Sequence, residues 1–262
     1  MPDSICNFVW YELMTSDTAA ATDFYRTVIG WNTRDAGYED KSYTVLSAGD
    51  YGVGGIMAIP EHACEAGSRP GWAGYIWVPD TDAYAARIVE KGGKIHRAPD
   101  DIPTIGRFAV VADPGGAVFM LITPIGEAPA TRPAADTPGL TGWRELYAWN
   151  GEEAMAWYGE LFGFQQAGGM DMGPMGEYKI FSAAGEPVAI GGIMNKPEQM
   201  PATFWQYYFN VEEINSAIER VKSNGGQICM GPHEVPGGSW IVQCLDPQGA
   251  AFALVAPKAA VS

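Results

Sequence analysis

Residues 10–31 read WYELMTSDTAAATDFYRTVIGW, and residues 143–164 read WRELYAWNGEEAMAWYGELFGF. The two stretches match at Trp10-x-Glu12-Leu13 and Trp143-x-Glu145-Leu146, at Phe24-Tyr25 and Trp157-Tyr158, and at Gly30-Trp31 and Gly163-Phe164, always 133 residues apart. The displacement persists downstream. Gly92-Gly93 recurs as Gly225-Gly226, and Asp113-Pro114-x-Gly116 as Asp246-Pro247-x-Gly249. Gly54-Gly55-Ile56-Met57 recurs as Gly191-Gly192-Ile193-Met194, 137 residues on, which marks a local insertion later reversed. One offset held through that many landmarks means two homologous halves.

The seam between them is PIGEAPATRPAADTPGL, residues 124–140, rich in Pro, Ala and Gly and without apolar period, as a linker is. It separates a first domain, residues 1–123, from a second, 141–257. Each half divides again. Asn7–Thr15 alternates like a strand, and Asp17 caps a helix over Thr18–Ile29 whose Ala20, Ala21, Phe24, Tyr25 and Val28 share a face; Gly30 ends it. Strands follow at Ser42–Ala48 and Val53–Ile59. The order then restarts with a strand at Gly74–Val78, a helix capped by Asp80 and running through Lys91, and strands at Lys94–Arg97, Arg107–Ala112 and Ala117–Thr123. The second half repeats it, with helices near 151–162 and 212–223. The fold class is α+β, four βαβββ units forming two curved sheets with cups. The sequence leaves open whether the units pair first with second or first with fourth.

Composition narrows the partners. The 262 residues carry 16 Lys and Arg against 31 Asp and Glu, a net charge of −15, which repels nucleic acid and anionic membrane alike. Hydrophobic residues make up 47%, enough for a core. No run reaches the roughly 20 apolar residues of a membrane helix, and the N-terminus lacks the pattern of a signal peptide. Cys6, Cys64, Cys229 and Cys244 are widely spaced, with no disulfide framework. The expectation is a soluble cytoplasmic protein.

The opening strand, Phe24-Tyr25, Gly30-Trp31, Gly92-Gly93 and Asp113-Pro114-x-Gly116 before an apolar strand, with their copies, resemble the vicinal oxygen chelate superfamily. That superfamily takes in glyoxalase I, bleomycin-resistance proteins and extradiol dioxygenases. The likeness covers nearly the whole chain and is greatest to the tandem glyoxalase-like proteins. It implies a cup between paired units. In metal-dependent members a divalent ion sits there on His and Glu ligands from the first and last strands of the units, polarising two neighbouring substrate oxygens. Counted from the motifs, those positions hold Trp10, Gly54-Gly55, Ala73 and Met120 in the first half. In the second they hold Trp143, Gly191-Gly192, Gln206 and Ala253. Only Gln206 offers a side-chain oxygen. His62, in the loop Glu61–Gly71, His96, on a short strand, and His233, in a loop, have no repeat partners. No cofactor is expected, and a divalent metal is disfavoured.

Strand alternation then lines the first cup with Trp10, Glu12, Tyr75, Trp77 and Met120, and the second with Trp143, Glu145, Gln206 and Tyr208. Aromatic walls with one carboxylate per half suit a flat apolar or cationic organic molecule. Glu12 and Glu145 are the candidate catalytic residues, as general base or ligand anchor. The alternative for both is a structural role, hydrogen-bonded to backbone or a Tyr hydroxyl. Gly168–Gly176, GGMDMGPMG, reads as a mobile loop, a lid or a tolerated insertion. Three functions stand side by side: a metal-independent small-molecule binder, a glyoxalase-like lyase acting on reactive carbonyls, and a scaffold with vestigial cups. Duplication supplies within one chain what single-half relatives obtain by dimerising, so a monomer suffices and a homodimer stays open.

Overall fold

The computed structural model describes residues 6–38, 42–65, 67–126 and 132–257. The first quarter runs β1 (Phe8–Thr15), α1 (Thr18–Ile29), β2 (Asn32–Asp35), β3 (Tyr43–Ala48) and β4 (Tyr51–Ala58), then a short helix α2 (Glu61–Glu65). The second runs β5 (Gly71–Trp77), α3 (Thr81–Glu90), β6 (Lys94–Ile102), β7 (Gly106–Ala112) and β8 (Val118–Pro124). The third is β9 (Thr141–Ala148), α4 (Gly151–Phe162), β10 (Gln165–Asp171), β11 (Glu177–Ser182) and β12 (Ala189–Asn195). The fourth is β13 (Phe204–Asn210), α5 (Ile214–Ser223), β14 (Gln227–Glu234), β15 (Trp240–Leu245) and β16 (Ala251–Ala256). The strands assort into two eight-stranded sheets, ordered β2-β3-β4-β1-β5-β8-β7-β6 and β10-β11-β12-β9-β13-β16-β15-β14. This is the α+β architecture of repeated βαβββ units that the sequence repeat predicts.

Local chemistry starts and stops the helices as expected. The Asp17 carboxylate accepts from the Ala20 N–H at 2.9 Å and the Asp80 carboxylate from Ala83 at 3.0 Å. Gly30 and Gly163 close α1 and α4 with φ of 90° and 73°, a left-handed turn that suits glycine. Glu213 opens α5. Backbone N–H groups of Ser216 and Asn215 bond its carboxylate and hold it down at about 2.

Five expectations need correction. Ala20 is exposed, off the buried face of α1 that Ala21, Phe24, Tyr25 and Val28 form. Gly168–Gly176 is no mobile loop: through Asp171 it belongs to β10, paired with β11, and Gly173–Met175 form a 3-10 turn. Glycine is tolerated there because β10 is an edge strand, held by backbone bonds more than by side-chain packing. His62 lies in α2 and His233 in β14, not in loops, and His96 lies on a nine-residue strand rather than a short one. β2 goes unread because Asn-Thr-Arg-Asp shows no apolar alternation. Of the linker, residues 127–131 lie outside the described residues. Its later part is stitched down: Trp31 Nε1 donates to Gly139 O at 2.7 Å, and Asn210 Nδ2 to Ala135 O and Thr137 O at 2.8 and 3.1 Å.

Packing divides the chain into two compact units. One takes Met1–Trp10, Ala73–Ala130 and Arg144–Trp205; the other takes Tyr11–Trp72, Thr131–Trp143 and Gln206–Ser262. The second quarter therefore shares a core with the third, and the first with the fourth. In the first-and-fourth unit, fully buried Tyr25 donates its hydroxyl to Asp246 Oδ2 at 3.1 Å and accepts from Trp72 Nε1 at 2.9 Å. Asp246 Oδ1 meanwhile accepts from Gln248 and Ala250 N–H, folding its own turn. Arg220 of α5 donates twice to Val28 O at the end of α1. In the second-and-third unit Tyr158 bonds Asp113 Oδ2 at 3.1 Å, Trp205 bonds Tyr158 at 3.0 Å, and Ala117 N–H bonds Asp113 Oδ1. A satisfied buried bond nets about 1 kcal/mol, and stranding one partner costs about 1–3 kcal/mol, so these triads fix which quarters meet.

Burial pushes the Asp113 carboxyl from its ordinary 3.8 up to about 6, and Asp246 is raised for the same reason. Between those values the native state keeps a proton that the unfolded chain has released. Stability from this group is thus full below pH 4 and lost as pH rises through 6, a contribution of about 3 kcal/mol. Asp113→Asn keeps an acceptor for Ala117 and cannot ionise. Thermal melts of both proteins at pH 4.5 and pH 7 should show the variant gaining on the wild type by several degrees at the higher pH. Parallel melts at the two pH values would show that burial of Asp113 carries no such term.

Candidate functional site

Alternation on β13 sends Trp205, Tyr207 and Phe209 to the cores. Gln206 and Tyr208 go to the opposite face, where they are 3% and 2% exposed. On that face, within the first-and-fourth unit, Tyr208 is in register with Ala253 of β16 and Ala253 with Gln243 of β15. Gln243 Nε2 donates to the Tyr208 hydroxyl at 2.7 Å. Gln206 Nε2 is buried without a hydrogen-bond partner. Trp143 lies half-buried on β9, the sheet neighbour of β13.

The second-and-third unit carries the matching face on β5, β8 and β7. Tyr75 pairs with Met120 and Met120 with Val110; Trp77 pairs with Ile122 and Ile122 with Phe108. Tyr75 and Met120 are buried, whereas Trp77 is half-buried. The Arg97 guanidinium stacks over Phe108 at 4.7 Å from the ring centre, a cation–π contact at the margin of this face. Trp10, in the same unit, is half-buried on β1. The sequence reading passed over Gln243, Val110, Phe108 and Arg97. For Gln243 and Val110 the repeat was a signal, since they stand 133 apart, as Tyr75 and Tyr208 do; Phe108 and Arg97 have no like counterpart.

The two carboxylates sit in matched surroundings. Glu12 pairs with Gly55 across the parallel β1–β4 ladder, and Glu145 pairs with Gly192 across β9–β12. Both are buried, at 5% and 7% exposure. The phenol of Tyr43 lies over Gly55 and that of Tyr178 over Gly192, each occupying the space a β-carbon would need. Gly54 and Gly191 approach the backbone carbonyls of Tyr11 and Arg144 as tightly. The paired glycines thus serve close approach, one facing the neighbouring strand's backbone and one a tyrosine ring.

The positions that the resemblance assigns to metal ligands carry indoles, an alanine pair, a thioether, glycines and one amide. Among the described residues, no group of three or more His, Cys, Asp and Glu side chains could hold a metal ion. These residues do not fit a divalent ion. Cys6, Cys64, Cys229 and Cys244 are all free thiols. Among the described residues, no helix is long and apolar enough to cross a membrane.

A family model for the Glyoxalase/Bleomycin resistance protein/Dioxygenase superfamily matches residues 7–121 and 143–254. The chain is 29% identical over 255 residues to a Mycobacterium tuberculosis protein named for glyoxylase, CFP32, covering 95% of this chain and 94% of that one. It is 27% identical over 269 residues to the anthracycline biosynthesis protein DnrV of Streptomyces peucetius, covering 94% and 91%. Among solved structures it resembles the 2,3-dioxygenase LapB from Pseudomonas sp. KL28, with a TM-score of 0.65 at 15% identity, over 96% of this chain and 92% of that one. At that identity the likeness concerns fold.

The glycine contacts rank two substitutions. Gly54→Ala drives a methyl into backbone, which cannot swing aside, whereas Gly55→Ala meets a tyrosine ring that can. Urea unfolding should show a loss of about 3 kcal/mol or more for Gly54→Ala and about 1–2 kcal/mol for Gly55→Ala. The reverse order would disprove the assignment of what each glycine faces.

Proposed function

Because the chain belongs to the Glyoxalase/Bleomycin resistance protein/Dioxygenase superfamily across both halves, we propose that it binds a small flat aromatic or cationic organic molecule on its aromatic strand faces, without a resident metal. The observation that carries this is the substitution of chemistry at the family's ligand positions. Those positions hold Trp10, Gly54-Gly55, Ala73 and Met120 in the first half and Trp143, Gly191-Gly192, Gln206 and Ala253 in the second, in place of imidazoles and carboxylates, and Tyr75, Trp77 and Tyr208 add rings to the same strand faces. Rings offer dispersion area and a negative π-face, which favour planar and cationic ligands over hydrated anions. The net charge of −15 attracts the same cations from solution. The name of the Streptomyces peucetius relative, for anthracycline biosynthesis, agrees with a flat polycyclic ligand. The four free thiols agree with a cytoplasmic setting.

The test is a fluorescence titration with an anthracycline, a planar ring system bearing an amine. Tryptophan emission should change saturably, and Trp77→Ala and Trp143→Ala should each weaken the unit that holds them by about tenfold or more. Added chelator should leave the affinity unchanged. A flat response across a varied aromatic set, or a stoichiometric divalent ion retained by protein purified without chelators, would overturn the proposal.

A second reading is favoured by one observation, the matched burial of Glu12 and Glu145 beside glycine. In it the chain is a lyase on reactive carbonyls, a reading that agrees with the glyoxylase name of the Mycobacterium tuberculosis relative. A carboxylate then takes the proton from the carbon next to the carbonyl. Turnover of the methylglyoxal–glutathione adduct should fall about 100-fold or more in the Glu12→Gln, Glu145→Gln double variant. Unchanged turnover excludes both as bases.

A further inference from the structure

Duplication supplies an internal control. At the offset of 133, Gln206, Tyr208, Gln243 and Ala253 of one unit correspond to Ala73, Tyr75, Val110 and Met120 of the other. Both sets occupy the same register: the tyrosine of the first strand pairs with the last strand, which pairs in turn with the middle one. Only the tyrosine is kept. In the second-and-third unit the other places are apolar, and the Met120 side chain occupies the face. In the first-and-fourth unit a methyl stands for methionine, and two carboxamides appear, Gln206 two residues from the tyrosine on β13 and Gln243 in register with it on β15. One of them, Gln243, is spent on orienting the phenol, donating to its oxygen at 2.7 Å. The other is not. Gln206 is 97% removed from solvent, since its exposure is 3%, and its amide nitrogen has no partner. An unmet buried donor is an expense that the chain escapes at Ala73.

We infer that Gln206 Nε2 is the donor that receives an acceptor oxygen of the ligand, with Tyr208, positioned by Gln243, beside it. The first-and-fourth unit then carries the polar, selective subsite, and the matching face of the other unit is a filled apolar wall. The ligand class is a flat aromatic molecule bearing a carbonyl or phenolic oxygen. The amide stands at one of the positions that hold a metal ion in metal-dependent relatives, and it meets the oxygen by hydrogen bonding instead. The inference rests on the binding reading above. Because the donor is buried, the ligand reaches it only by displacing what covers it, and gains the hydrogen bond missing without ligand.

Equilibrium dialysis with 9-fluorenone and with fluorene, which share a skeleton and differ in one carbonyl oxygen, tests this. The wild type should bind fluorenone about tenfold more tightly than fluorene, one well-made hydrogen bond's worth. Gln206→Leu and Gln206→Ala should both bring that ratio close to one while fluorene is retained. The alanine variant copies the residue that the other half already carries at position 73, which guards against a folding failure. Gln206→Leu should also melt higher than the wild type without ligand, because an unpaired donor has been removed. A ratio near one in the wild type, a ratio preserved in both variants, or a lower melting temperature for Gln206→Leu would overturn the inference while leaving the binding reading standing. Failure of the wild type to bind either compound would overturn both.

Discussion

The bond from Tyr25 to Asp246, and its copy from Tyr158 to Asp113, joins a helix of one quarter to a turn of another. Each aspartate has two tasks. One oxygen holds the turn between two strands, and the other accepts a hydrogen bond from a tyrosine hydroxyl on a helix far away in sequence. A tryptophan near the start of the next quarter's first strand then donates to the same hydroxyl. Removing any member strands a buried polar atom among rings. Partner choice between quarters is therefore enforced by polar groups, while the surrounding aromatic packing supplies most of the burial. Phe24 and Tyr25 against Phe252, and Phe119 against Tyr158, show how closely the two requirements are interleaved.

Much of the fold was legible because it is written twice. Caps at Asp17 and Asp80, the glycine stops and the amphipathic helices carry local physical signals, and repetition turned weak signals into a strong one. What local signals cannot contain is partner choice. The Tyr-Asp pairing was hidden in two landmarks, Phe24-Tyr25 and Asp246-Pro247, that served only as ruler marks. Edge strands were hard to read for a related reason: β2 and β10 need no apolar face, so polar or glycine-rich segments satisfy them. His233 was misplaced because β14 is bulged and mostly exposed, which removes the alternation that betrays a strand.

The face residues were legible only in part. Alternation puts Tyr75 on the face of Met120 and Gln206 on the face of Tyr208, and all four side chains are buried. Gln243 was missed because it lies on a strand that the motif comparison never visited. Its meaning comes from contact with Tyr208 and from contrast with Val110, and neither is visible without three-dimensional register. The tyrosine is common to both halves, while the residues around it are apolar in one half and include two amides in the other.

The exchange of partners between quarters sets an order of assembly during synthesis. The unit built from the second and third quarters needs nothing beyond Trp205, so its core can close while the last quarter is still being made. The other unit needs Asp246 and Phe252, near the far end, to receive Tyr25. Until they emerge, the rings of α1 and Trp31 have no core to enter. Of the helices named above, the one made first is thus the last to find its partner, and the long loop it must close slows that step. Protection of the nascent first quarter, rather than the stability of the finished protein, is where this topology places its greatest demand on the cell.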